Sequence, residues 1–143
     1  MSADAGAFLR VQLSEGMSSM DVLAALISGG WVLDDLGSIT YLPPGDEDFD
    51  WTSRGHDALD LVERDLQQRV RQGEVLGVVL TLRETDIGGT FLFYSDGRVI
   101  FSPIVNRVLR ADGSTDADWY LSRLLPPVRA RVPVQEVRWS ESA

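Results

Sequence analysis

Asp46, Glu47, Asp48 and Asp50 crowd one short stretch, with Phe49 between them and Trp51 directly after. Carboxylates this close together can hold a hard cation, exchange protons, or present a negative surface to a basic partner. The cation option has partial support: Asp46, Asp48, Asp50 and Asp57 stand at positions 1, 3, 5 and 12 of a twelve-residue window, the spacing of an EF-hand-like calcium loop. That match breaks at position 6, where a sharp turn calls for glycine and the chain has Trp51, and at position 9, where the charge of Arg54 opposes an ion. A calcium-binding module is therefore the weaker reading, and no metal is expected. The simpler account is a solvated acidic loop favoured ahead of a helix N-terminus by the helix dipole.

Proton chemistry is also poorly provided for. His56 is the single histidine, with Ser53, Asp57 and Asp60 nearby in sequence. A Ser-His-Asp relay needs a preorganised nucleophile and an oxyanion hole, and the chain has no Gly-x-Ser-x-Gly elbow. No carboxylate pair is singled out for glycoside chemistry. Gly88-Gly89 leads into a strand-like run, not into the helix N-terminus a phosphate loop requires. The reading is non-catalytic and cofactor-free. What remains is recognition: Trp51 beside four acids, and Trp119 beside Asp116 and Asp118, have the composition of aromatic anchors with a charged surround. Trp119 packs equally well beneath a short helix. Asp46, Glu47, Asp48, Asp50, Trp51, Asp116 and Asp118 are thus the candidate partner-binding residues.

The whole-chain balance agrees. The 143 residues carry a formal net charge of −9, all 13 basic residues are arginine, and cysteine is absent. Such a chain is repelled by nucleic-acid phosphates and anionic lipid and attracted to basic proteins, although acidity alone also serves solubility. No disulfide or Cys-ligated zinc is possible, no apolar run approaches a spanning helix, and the N-terminus lacks a signal-peptide pattern, so a cytoplasmic location is expected.

The elements that must position these residues can be read from periodicity and turn chemistry. Phe8 to Leu13 reads as a strand. Ser18 and Asp21 open a helix whose face carries Met20, Leu23 and Ile27, and Gly29-Gly30 closes it. Trp31-Val32-Leu33 and Ser38 to Leu42 predict a hairpin across Asp34 to Gly37, after which Pro43-Pro44-Gly45 opens the acidic stretch. A helix is predicted over His56 to Gln72, with Leu59, Val62, Leu66 and Val70 buried, pairs Asp60–Arg64 and Asp65–Arg69, and Gly73 as its cap. Val75 to Leu82, Thr90 to Ser95 and Arg98 to Phe101 read as strands; Asp96-Gly97 as a two-residue turn would place Phe93 opposite Ile100, and Phe91, Phe93 and Phe101 belong to the core. A short strand is expected at Asn106 to Arg110. A helix from Asp116 to Leu125 is expected to stop at Pro126-Pro127, with the alternating Val128, Ala130, Val132 and Val134 forming an edge strand. The sum is one α+β domain over residues 1–143, a mostly antiparallel sheet of about five to seven strands with about three helices packed on it. Residues 1–6 and 140–143 are expected to be disordered tails.

Gly30-Trp31-Val32-Leu33 through Ile39-Thr40-Tyr41-Leu42-Pro43, Gly45-Asp46 through Phe49-Asp50-Trp51, Ile87-Gly88-Gly89 and Thr115 through Leu121 resemble small bacterial immunity proteins that neutralise polymorphic or contact-dependent toxins. The resemblance implies a compact, acidic, cofactor-free α+β domain in the cytoplasm that clamps a cognate toxin domain. A non-catalytic adaptor with another basic protein partner is the alternative.

Overall fold

The computed structural model describes residues 7–14, 16–33, 37–45 and 50–141. Eight strands and three helices form an α+β domain in the order β1 (Ala7–Leu13), α1 (Ser19–Ser28), β2 (Trp31–Val32), β3 (Ser38–Tyr41), β4 (Thr52–Gly55), α2 (Leu59–Arg71), β5 (Leu76–Leu82), β6 (Gly88–Phe93), β7 (Arg98–Val105), α3 (Ala117–Arg129) and β8 (Val134–Glu141). The sheet runs β4-β3-β5-β6-β7-β1-β8, all pairs antiparallel, with β2 also on β5. One row of partners crosses it from edge to edge: Thr52, Tyr41, Val78, Phe91, Phe101, Leu9 and Trp139. Alternation sends Leu9, Val11, Leu80, Phe93 and Val99 to the same side as this row, where Val22 and Leu26 of α1, Val62 and Leu66 of α2 and Leu124 of α3 close the core.

Several sequence expectations meet a different outcome, each with a local cause. Trp31-Val32 and Ser38–Tyr41 do not pair with each other: both lie antiparallel on the same edge of β5, Trp31 opposite Leu82 and Tyr41 opposite Val78, as two pieces of one interrupted strand. The β6–β7 hairpin is one residue out of the expected register. Its loop is Ser95-Asp96-Gly97, closed by Gly97 N–H to Tyr94 O (3.1 Å) and Tyr94 N–H to Arg98 O (2.8 Å), with Gly97 at φ +89°. A three-residue loop ending in a left-handed glycine pairs Phe93 with Val99 and Phe91 with Phe101, so both members of each pair face the core. Asn106 to Arg110 is not a strand; only the bridge Leu109–Thr115 forms there. On α1 the buried residues are Val22, Leu23, Ala25 and Leu26, and Ile27 is exposed, because neighbours on two sides of the helix widen its apolar stripe beyond one row.

The largest departure is at Pro126-Pro127, which lie inside α3 rather than after it. The helix runs on to Arg129, and Val128 follows Leu124 on the buried face, so the alternating reading of residues 128–134 fails. Proline in a helix interior removes the N–H that would satisfy the carbonyl four residues back. For Pro127 that carbonyl belongs to Arg123, and the Trp31 indole N–H donates to it at 3.1 Å. Gly29 at the end of α1 lies where a Cβ would come within 2.5 Å of the Pro127 ring. Strand β8 begins only after Pro133 and is an edge of the sheet. It extends to Glu141, whose Oε2 accepts from Thr115 N–H at 2.8 Å, and residues 142–143 lie outside the described residues. Residues 1–6 lie outside the described residues.

Trp31→Phe removes the donor for a carbonyl in the interior and shrinks a core side chain, and should cost roughly 2–4 kcal/mol in urea unfolding. In a Pro127→Ala background, where a helical N–H returns to Arg123 O, the same change should cost about 1 kcal/mol less. A coupling of zero between the two positions would refute the role given to the indole.

Candidate functional site

The acidic stretch connects β3 to β4. Its members Asp46, Glu47 and Asp48, and Phe49, lie outside the described residues, whereas both ends of the connection are held. The first end is clasped by α2. Arg69 is almost fully buried; its Nε donates to Val75 O at 2.5 Å and its Nη1 to Pro43 O at 2.6 Å, and Nη1 also pairs with Glu74 Oε1 at 3.4 Å. Glu74 in turn accepts from Gly45 N–H at 3.1 Å. This clasp depends on how α2 ends: Gly73 at φ +74° lets Glu74 N–H reach back to Arg69 O and Gly73 N–H to Val70 O, a Schellman-type close that turns Glu74 towards the loop. A buried guanidinium needs partners for its donors, and two main-chain carbonyls and one carboxylate serve Nε and Nη1 here.

The second end is Asp50-Trp51 and the start of β4. Trp51 lies across Gly77 of β5 beside Leu42, and a Cβ at position 77 would approach Trp51 Cη2 to 3.1 Å and Leu42 Cδ1 to 2.5 Å. The missing side chain at Gly77 leaves room for Leu42 and, beside it, for the far edge of the indole. About a third of Trp51 stays exposed (36%). Strand β4 is fixed below it by register, Thr52 opposite Tyr41 and Arg54 opposite Ile39, and by a cross-strand pair of hydroxyls, Thr40 Oγ1 to Ser53 Oγ at 2.9 Å.

A polar triad ties β4 to α2. Arg54 Nε donates to the Tyr41 hydroxyl at 2.9 Å, which donates to Asp65 Oδ2 at 2.6 Å. Burial, then the hydrogen bond to Asp65, push the Tyr41 phenol above its ordinary 10.0, with Arg54 opposing. The tyrosine is thus held neutral as a donor to a carboxylate. Ser53 is engaged with Thr40, and no relay to His56 is present among the contacts described for it. No group of three or more His, Asp or Glu residues is placed to hold a metal among the described residues. The chemistry this arrangement offers is a rigid frame for charge and one aromatic face.

Asp116 and Asp118 are elsewhere. Asp116 caps α3, accepting from Trp119 N–H at 3.2 Å, and both carboxylates approach Arg110, at 3.8 and 3.7 Å. Trp119 is half-buried, edge-on to Tyr120 and under the Arg123 guanidinium at 4.1 Å. The start of α3 is tied to the end of β8, at the far side of the sheet from β4, six strand spacings or roughly 29 Å on a flat sheet. Of the candidate residues described, Asp50 and Trp51 therefore lie at one edge of the sheet and Asp116 and Asp118 towards the other, and Trp51 is the open aromatic that adjoins the acidic stretch in sequence.

The sequence reading missed Arg69 and Tyr41. The sequence gives Arg69 only as a pair for Asp65, and its place three residues after Leu66 and seven after Val62 puts it on the buried face of α2. That spacing was the available signal. Tyr41 gave none, since its neutral hydroxyl acquires partners only when β3, β4 and α2 meet.

Tyr41→Phe should cost on the order of 1 kcal/mol at neutral pH, the net worth of a buried hydrogen bond. Because the folded phenol is raised, its contribution is fully present below pH 10 and is lost as pH rises above 10 through the folded value. Urea unfolding from pH 7 to pH 11 should accordingly show the gap between wild type and Tyr41→Phe narrowing above pH 10; a constant gap would contradict the assignment.

Compared with protein-family models, with curated proteins and with solved structures, the chain finds no match in any of the three.

Proposed function

We propose that the protein is an immunity protein that binds a cationic bacterial toxin domain stoichiometrically and blocks it, with Asp46, Glu47, Asp48 and Asp50 facing the toxin and Trp51 as the anchor. The observation that carries this reading is Trp51: a large aromatic seated over Gly77, a third exposed, at the foot of a dense run of carboxylates. A ring already held in place loses little freedom on binding, and aromatic anchors within a charged surround are where interface energy concentrates. The clasp at Pro43 and Gly45 and the triad behind β4 serve the same end, since fixed ends reduce the conformations the acidic connection must give up. A net charge of −9 steers a basic partner inward over a Debye length of about 8 Å at physiological salt. A nuclease toxin supplies such a partner readily, because a phosphate-binding cleft is cationic.

The reading is tested by co-expressing the chain with a toxin-like domain encoded beside it, scoring survival and then co-purification. Rescue with a one-to-one complex supports it; death of the cells, or rescue without a complex, removes it in favour of an adaptor for some other basic protein. Within a complex, replacing the four loop acids by their amides should slow association about 10-fold or more at low salt and flatten its salt dependence. Trp51→Ala should instead raise the dissociation rate, by roughly 30-fold if the indole is worth about 2 kcal/mol. Unchanged rates in both variants would move the interface away from this edge.

A further inference from the structure

The opposite edge of the sheet has an unresolved charge conflict. On β8, Arg138 stands directly across from Arg10 of β1, and Glu136 across from Gln12. Like charges in directly opposed positions are destabilising. The nearest acid on that face, Glu136, touches Arg138 only along its own strand, Nη2 to Oε1 at 3.6 Å. Arg10 has no ion pair among the described residues, and its Nε is shielded from water without a hydrogen-bond partner. Yet β8 ends the strand order, so one whole side of its backbone faces no other strand among the described residues.

We infer that β8 is a docking edge for a second copy of this chain, paired antiparallel about Val137 so that Glu136 of each protomer faces Arg138 of the other. The register follows from geometry. A two-fold axis normal to the sheet keeps core face on core face, so residues must pair with others of the same facing. Of the centres this allows, Glu136 would oppose Glu136 and Arg138 would oppose Arg138 at two, and centring on Trp139 leaves Arg138 against Ser140. Centring on Val137 gives two symmetric Glu–Arg pairs, with each partner carboxylate arriving directly opposite the arginine that Arg10 repels. On the core face Val137 meets its own copy. The paired stretch is short, because β8 carries a bulge where Leu13 pairs with Val134 and is preceded by Pro133. Both are devices that limit edge pairing, so the contact is a weak, concentration-dependent dimer, not an open-ended stack. It leaves β4 and Trp51 free at the two outer ends.

Sedimentation of the full chain across the micromolar to sub-millimolar range should show a monomer–dimer equilibrium that weakens with salt. Glu136→Arg and Arg138→Glu should each weaken it at least 10-fold by opposing like charges. Mixing the two variants should restore a dimer, since each then faces its complement, and the double swap in one chain should dimerise as wild type does. Arg138→Glu also places an acid across from Arg10, so this variant should unfold at no lower temperature than wild type while losing the dimer. That combination separates an interface role from a merely structural one. Wild type monomeric throughout, self-association indifferent to the single changes, or single variants that fail to rescue one another would each overturn the assignment.

Discussion

Helix α3 is anchored to the sheet by a hydrogen bond from the Trp31 indole to the carbonyl of Arg123. The carbonyl is available because Pro127 cannot donate to it, and the indole is available because β2 is only two residues long and brings Trp31 over the centre of the sheet. There its ring meets the edges of Phe91 and Phe101 at centroid distances of 5.6 and 6.1 Å. The same contact fixes the end of α1, whose Gly29 fits against the Pro127 ring. Thus a strand, two helices and the central hairpin meet at a proline that would otherwise weaken α3. Alanine at position 127 would make a better isolated helix and would take away the reason for the indole to be there.

Close approach is the second constraint on the sheet. Gly88 and Gly89 begin β6 where a Cβ would fall 2.1 Å from Leu80 O and 1.9 Å from Ser102 O, so these positions are glycine because the neighbouring backbones occupy the space. The ladder between β6 and β7 shifts there, and the Gly97 loop sets the register at the other end. Between these two glycine sites the Phe91–Phe101 and Phe93–Val99 pairs are locked to the core face. Since a slip of one residue would turn every one of them outward, the hairpin acts as the ruler against which β1, β5 and then the outer strands align.

Class, element count and the main burial pattern were legible because they rest on local signals: β-branched and aromatic runs in β5 to β7, the Ser18 cap on α1, the Gly73 close of α2. What was not legible depends on partners distant in sequence. Pro126-Pro127 read as a stop because nothing nearby in the chain announces that Trp31 will satisfy Arg123. Asp-Gly read as a two-residue turn because one glycine serves both loop lengths, and only the facing of Phe91 and Phe101 decides between them. Trp31-Leu33 and Ser38-Leu42 read as a hairpin because turn residues separate them, yet both prefer the open edge of β5. At the site, composition picked out Trp51 and the acids, but it grouped with them Asp116 and Asp118, which serve α3 and Arg110. Composition measures charge; it does not say which charges are already engaged.

That distinction bears on how the two ends of the acidic connection are held. Arg54 and Arg69 hold the described ends of the connection, one in the strand that follows it and one on α2. Each has a guanidinium engaged inward: Arg69 with the carbonyls of Pro43 and Val75 and with Glu74, Arg54 with the Tyr41 hydroxyl. Arginine suits this because its planar fork holds several acceptors at set angles and stays charged when buried. Lysine, a single mobile point charge, would hold the backbone less firmly and could swing out to the carboxylates. The fold thus uses these two arginines to fix the ends of the loop through main-chain and phenol oxygens.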